Sequence, residues 1–292
     1  MAGRRDLPDG RVSTYFSYCT MTNKLISLAF LLISYTVFSQ DIKLTEQEMQ
    51  IKLDSIKTEG NLLYELENAS WHSTDLVKEN RKMRDSTGIY LTYKSGETVK
   101  TVFLNKPANK VISEYTFVNN TKKPSKKAET ERELSPLELE LKTVREKVIY
   151  QLSDKKYEVG VPEGFSLNVI IIPFGEKYKT YLITGASEPG VIPFGNDYLF
   201  ISDKAGNIEG YKKFHSRLIP TYVANASGDS ITIVTHSHLK TTPYISATDI
   251  CTFKLYAPFT KMERFSVYSP ALQTYFEYNY KKNTLAKTKS PL

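Results

Sequence analysis

Apolar residues recur at helical spacing from residue 42 to about 85. Ile42, Leu44, Met49, Leu53, Ile56, Leu62, Leu63 and Leu66 carry the pattern, with charged residues between them. Gly60 interrupts it, so the stretch predicts two helices or one bent helix. GIYLTYKSGETVKTVFLN then reads as a β-hairpin turning at Ser95-Gly96, and Lys110 to Val118 as a third strand. Residues 119–135 are polar, charged and weakly patterned, which predicts a linker. A helix follows, with Ser135 as N-cap, Pro136 in the first turn and Glu138 completing a capping box; its apolar stripe is Leu137, Leu141, Val144, Val148 and Leu152.

From Val161 onward strand signals dominate: Ser166 to Ile172, Thr180 to Thr184, Tyr198 to Ser202, Tyr211 to Phe214 and Ser230 to Thr235. Ser246 caps a helix over Ala247 to Tyr256, and a hairpin from Phe265 to Tyr280 turns near Ser269-Pro270. The order predicts an α+β chain. Helices and a small antiparallel sheet occupy residues 40–134, and a mixed α/β domain occupies 135–285. The 20 tyrosines and 14 phenylalanines fit the strand-rich reading.

Residues 1–39 change the picture of location. MTNKLISLAFLLISYTVFSQ, from Met21, has Lys24 as a positive start and an apolar run from Leu25 to Phe38. Val37 and Ser39 stand at the cleavage positions. This resembles signal peptides common in flavobacteria-like bacteria, where a Ser-Gln ending recurs. Met21 is the expected start, residues 1–20 an upstream extension, and the mature chain a secreted or periplasmic protein with no stable membrane insertion. A membrane anchor is the alternative reading of the same run. Cys19 precedes the apolar run, so only Cys251 stays in the mature chain and no internal disulfide is expected. The formal charge is +7, but the lysines are scattered, and the KKPSKK cluster sits in the linker, so no nucleic-acid partner is expected. Phosphate-binding Gly-rich loops, GxSxG and HExxH are absent.

The chemistry-bearing residues gather in THSHLKTTPYISATDI. In a strand, His236 and His238 at i and i+2 face one side. Asp249, in the first turn of the following helix, can join them, and two His with a carboxylate and an open position is catalytic zinc chemistry. The spacing H-S-H-x7-S-x2-D resembles the JAMM (MPN-plus, Mov34/JAB) metalloprotease motif over about fourteen residues. The resemblance implies zinc on His236, His238 and Asp249, with Ser237 as the permitted residue between the histidines. It also implies Ser246 as the oxyanion-stabilising serine and a JAMM-like domain.

That family needs an upstream glutamate as general base. Glu176 is the candidate, although FGEKYKTYLITG departs from the family's usual helix end running into a Gly-rich strand, and Glu163 and Glu188 compete. The expected activity is hydrolysis of peptide or isopeptide bonds in a protein of the cell envelope or exterior. Two alternatives stay open: a JAMM-like scaffold that only binds, and a metal-binding protein without hydrolysis. Ser246 with Asp249 is also a plain capping box. His215, in KKFHSRLIP, reads as a surface histidine near a strand end, with a His215, His236 and His238 site as the alternative. His72 reads as packing and Cys251 as a buried thiol. GNDYLFISDKAGNI, KKFHSRLIP and ATDICTFKLY further resemble a group of uncharacterised secreted proteins of flavobacteria-like bacteria, which implies export and no particular activity.

Overall fold

A computed structural model describes residues 44–291; the expected signal peptide and the extension before it lie outside the described residues. Four helices and fourteen strands among those residues give a mixed α+β fold. Helix α1, Glu46–Glu79, is a single helix of 34 residues whose buried side includes Met49, Leu53, Leu63, Leu66, Ser73 and Val77. Gly60 does not break it. A Cβ at that position would lie 2.7 Å from the Ile250 Cβ and 3.0 Å from the Ala247 carbonyl oxygen. The glycine is therefore a close-packing device rather than a helix end.

Helix α2, Arg81–Ser86, leads into β1 (Thr87–Ser95), β2 (Thr98–Asn105) and β3 (Val111–Val118), an antiparallel meander. The polar stretch expected to be a linker holds a short edge strand, β4 (Lys126–Ala128), paired with β3. Its far end is pinned by Arg132, which bonds Glu114 at 2.7 Å and Glu138 at 2.7 and 2.8 Å. Charge in this stretch thus serves an ion-pair network around a buried carboxylate. Helix α3, Pro136–Gln151, has the expected capping box at Ser135 and Glu138. Leu141, Val144 and Val148 are buried as expected, while Leu137 is exposed.

A second antiparallel sheet takes the order β5-β6-β8-β9, built from Phe165–Phe174, Lys177–Ala186, Tyr198–Ser202 and Ile208–Lys213. Strands β7 (Val191–Gly195) and β10 (Leu218–Tyr222) form a separate ribbon in which Pro193 faces Pro220. Prolines argue against a strand in sequence, yet here the two missing donors oppose each other. The expected strand Ser230 to Thr235 shrinks to β11, Thr235–Ser237, parallel to β12, Arg264–Ser269. Ile233 is exposed, so the apolar run before β11 has no core to enter. Strands β13 (Thr274–Asn279) and β14 (Thr284–Thr288) complete that sheet.

Helix α4, Ala247–Tyr256, is buried on nearly every side, the hallmark of a helix inside a core. Phe253 packs against Phe194 of β7 at 6.3 Å and Phe265 of β12 at 4.7 Å between ring centroids. Gly60 of α1 lies against its first turns. One hydrophobic cluster joins Leu63, Phe103 and Tyr115 to Ile170, Tyr181, Cys251 and Leu255, so residues before and after position 134 share a core. The unit from Glu46 onward is continuous in this sense.

Candidate metal centre

Four elements converge on the N-terminal end of α4. Residues of β11 alternate, with His236 buried between exposed Thr235 and Ser237. The extended course continues for one residue more, since the His238 amide donates to the Tyr268 carbonyl at 3.0 Å. His236 and His238 therefore share one buried side, as the period-two spacing predicts. Ser246 caps α4: its hydroxyl accepts from the Asp249 amide at 3.0 Å, and the Asp249 Oδ2 accepts from the Ser246 amide at 2.8 Å. The cap fixes the carboxylate with Oδ2 engaged and Oδ1 turned toward the histidines.

The fourth member is His215, which follows β9. The β7–β8 connection brings it in. Gly195 has φ +76°, and a Cβ there would lie 2.3 Å from the Arg217 carbonyl oxygen and 3.3 Å from the His215 Cβ. Only glycine permits that approach. The turn then delivers Asp197, whose Oδ1 accepts from His215 Nδ1 at 2.7 Å. The Thr248 hydroxyl donates to the Asp197 Oδ2.

The donor atoms of His215, His236, His238 and Asp249 all lie within 4.8 Å of one another, and all four residues are buried. This group can hold a metal ion. His215 Nε2 is 2.8 Å from His238 Nε2 and 3.4 Å from Asp249 Oδ1. His236 Nε2 is 3.3 Å from Asp249 Oδ1, and His238 Nε2 is 3.1 Å from Asp249 Oδ2. A tetrahedral ion bound at about 2.0–2.1 Å spaces its donors about 3.4 Å apart, which is the scale of these separations.

Protonation explains why the group needs a cation. The His238 Nδ1–H donates to the Tyr244 carbonyl at 2.7 Å, and the His215 Nδ1–H donates to a carboxylate. In neutral rings both Nε2 atoms then carry lone pairs, and they face each other across 2.8 Å. Something positive must lie between them, either a proton or a metal ion. Meanwhile His236 Nε2 and Asp249 Oδ1 are buried without a hydrogen-bond partner: their 3.3 Å separation is not aligned as a hydrogen bond. Unpaired buried polar atoms are costly, and two converging on one point suit an ion.

Electrostatics follow. Burial lowers the His215 pKa, but the Asp197 and Asp249 charges overcome it and raise the group to about 9. His236 is lowered, chiefly by burial. Burial opposes ionisation of Asp249, yet His215 and His238 together hold its carboxyl well below the ordinary range.

The expected set is thus placed unevenly. His236, His238 and Asp249 come together. The Ser246 hydroxyl is absorbed by the cap and by contacts at 2.6 and 2.7 Å with Asp249 Oδ2 and the Thr248 hydroxyl, rather than facing a reacting group. Glu176 lies in the β5–β6 turn, its side chain 90% exposed and paired with Lys204 at 2.7 Å, and that bond lowers its carboxyl below the ordinary range. Lys204 and Asp197 lie beyond opposite ends of β8, whose five residues of extended chain span about 17 Å. Glu163 and Glu188 are exposed. His215 is a full member of the cluster rather than a surface residue, and Asp197 and Thr248 went unread in the sequence. The signal available was Gly195-Asn196-Asp197 directly after an apolar run: a backbone device followed by a carboxylate. Set against protein-family models, curated proteins and solved structures, the chain matches none, so its chemistry is read from the geometry of this centre.

Proposed function

We propose that this chain is an exported metal-binding protein whose centre, His215, His236, His238 and Asp249, holds one zinc ion in a closed, fold-stabilising site. The observation that carries the reading is that two buried atoms, His236 Nε2 and Asp249 Oδ1, have no hydrogen-bond partner and lie beside two imidazole nitrogens facing each other. Three imidazoles and a carboxylate suit zinc among available metals. Asp197 and the Tyr244 carbonyl act as outer partners that orient two of the rings. Four protein donors leave no position for water, which is the pattern of structural rather than hydrolytic zinc. Peptide-bond hydrolysis would need that position and a nearby base; His215 occupies the first, and Glu176 is distant from the cluster. Export rests on the Met21–Ser39 segment.

The test is metal analysis of the full chain purified without chelators. About one zinc per chain is expected, lost in His236→Ala/His238→Ala and weakened in His215→Ala. Cobalt substitution should give the intense visible bands of a tetrahedral site. Failure to bind zinc, cobalt, manganese or ferrous iron when each is offered in excess overturns the proposal.

A further inference from the structure

A second carboxyl group sits far from ordinary surroundings. Glu67, on α1, is 3% exposed, and its Oε2 has no hydrogen-bond partner. Burial pushes its carboxyl up to about 8, against the pull of the neighbouring Asn168 side chain. Glu67 lines a cleft of about 220 Å³ with Trp71, Tyr90, Asn168 and Tyr256. Burial raises the hydroxyl pKa of both Tyr90 and Tyr256, and Glu67 in its ionised form raises them further.

A larger cleft of about 420 Å³ adjoins the first, sharing Trp71, Ala186 and Tyr256. Pro189, Val191, Ile192, Val223 and Phe259 give this second space a mostly apolar wall, which Ser187, Glu188 and Thr260 interrupt. The Trp71 ring lies 5.5 Å from that of Tyr256 and 6.2 Å from that of Phe259, between centroids. The Tyr256 hydroxyl is held in place by the Ala186 amide at 2.9 Å. No member of the metal cluster lines either cleft.

We infer that the paired clefts form a binding site for an organic ammonium ion bearing an apolar body. The charged head enters beside Glu67 and the rings of Trp71, Tyr90 and Tyr256, and the body lies in the larger cleft. Three arguments select this chemistry. A buried carboxyl oxygen without a hydrogen-bond partner becomes, once ionised, an acceptor that an ammonium N–H satisfies with a charge-assisted bond. Aromatic faces attract the same cation, most strongly when it is desolvated. The cationic side chain lining the small cleft, Lys78, is exposed on the outer surface of α1. The chain's net charge of +7 disfavours cations at long range, so any selectivity for an amine reports the cleft itself.

The chain has a single tryptophan, Trp71, so its intrinsic fluorescence reads this site directly. The experiment titrates the full chain at about pH 9, where Glu67 is mostly ionised and the amine still carries its proton, with 2-phenylethylamine and with its uncharged analogue 2-phenylethanol. A saturable Trp71 change is expected, with the amine binding roughly tenfold or more tightly than the alcohol. Glu67→Gln should erase that preference while leaving alcohol binding in place. Equal affinities, no saturable change with the amine, or a preference that survives Glu67→Gln each overturns the inference. The amine–alcohol comparison on the unaltered protein stands even if the variant does not fold.

Discussion

Replacing Asp197 by Asn tests how the centre is held, because the substitution pulls on zinc affinity in two opposite directions that pH separates. With metal bound, the Asp197 carboxylate orients His215 through its 2.7 Å bond and raises the ring's strength as a ligand. Losing an outer partner of this kind costs about 10- to 100-fold in metal affinity, or about 1.4–2.8 kcal/mol. Without metal, Asp197 and Asp249 instead hold a proton on His215, raising its pKa to about 9 against burial. Zinc must displace that proton. At pH 7 a group titrating near 9 costs about two decades of apparent affinity, at tenfold per pH unit. The Asn variant loses one supporting charge, so its His215 titrates lower and the competition shrinks.

At pH 7 the two effects oppose each other. At about pH 9, where proton competition has largely gone from the unaltered protein too, only the ligand-strength loss is left. The groups facing His215 that set this balance are Asp197, Asp249, His236 and His238. Competition against a chelator of known affinity, in metal-buffered solutions from pH 6.5 to 9.5, should show unaltered affinity rising about tenfold per unit and levelling near 9. The Asn variant should level at lower pH and at a 10- to 100-fold poorer limit. Parallel curves for the two proteins, or no difference at high pH, would refute the assignment of His215 as a ligand buttressed by Asp197. The metal-free protein carries the matching stability signature. Because folding raises the His215 pKa, its contribution is full below about 6.5 and fades as pH rises through about 9.

Three further substitutions test the packing. Gly60→Ala should destabilise the protein by about 1–3 kcal/mol in urea melts, since the new methyl meets Ile250 at 2.7 Å and overpacking outweighs the helix-propensity gain of about 1 kcal/mol. Ser246→Ala should cost about 1–2 kcal/mol through the lost cap, and should lower zinc affinity as well because Asp249 is no longer oriented; a thermal melt and a zinc titration check the two halves. Glu138→Gln should destabilise by about 2 kcal/mol, a figure discounted for the partial exposure of Arg132. Burial opposes its ionisation, but Arg132, Ser135 and Tyr93 hold the Glu138 carboxyl down at about 2. Its contribution is therefore present above about 4.5 and is lost as pH falls through about 2, so acid melts of the Gln variant should show a correspondingly shallower decline.

The residues that cap helices and alternate along strands were legible because those signals are local. Ser135-Pro136 and Ser246 set helix starts where the chain has them. The i, i+2 histidines share a side because a strand leaves no other choice. What stayed hidden depends on contacts distant in sequence. Gly60 reads as a break until Ile250 is seen against it, and Pro193 argues against a strand until Pro220 is found opposite. His215 looks superficial because its partners stand 18 residues before it and 23 and 34 residues after it. Order along the chain favours Glu176, and order does not report which end of a sheet a turn occupies.

The His215, His236, His238 and Asp249 cluster spans 35 residues of chain and draws on β9, β11 and α4. The chain has two cysteines, and the one among the described residues, Cys251, is buried without a sulfur partner. An ion at this point would do for the C-terminal third what a disulfide does elsewhere, closing a loop that the unfolded chain would otherwise leave free. Such a fastening is indifferent to thiol oxidants and reductants, and answers instead to chelators and acid. The surroundings that loosen this protein should therefore be ones poor in metal or low in pH, whatever their redox poise.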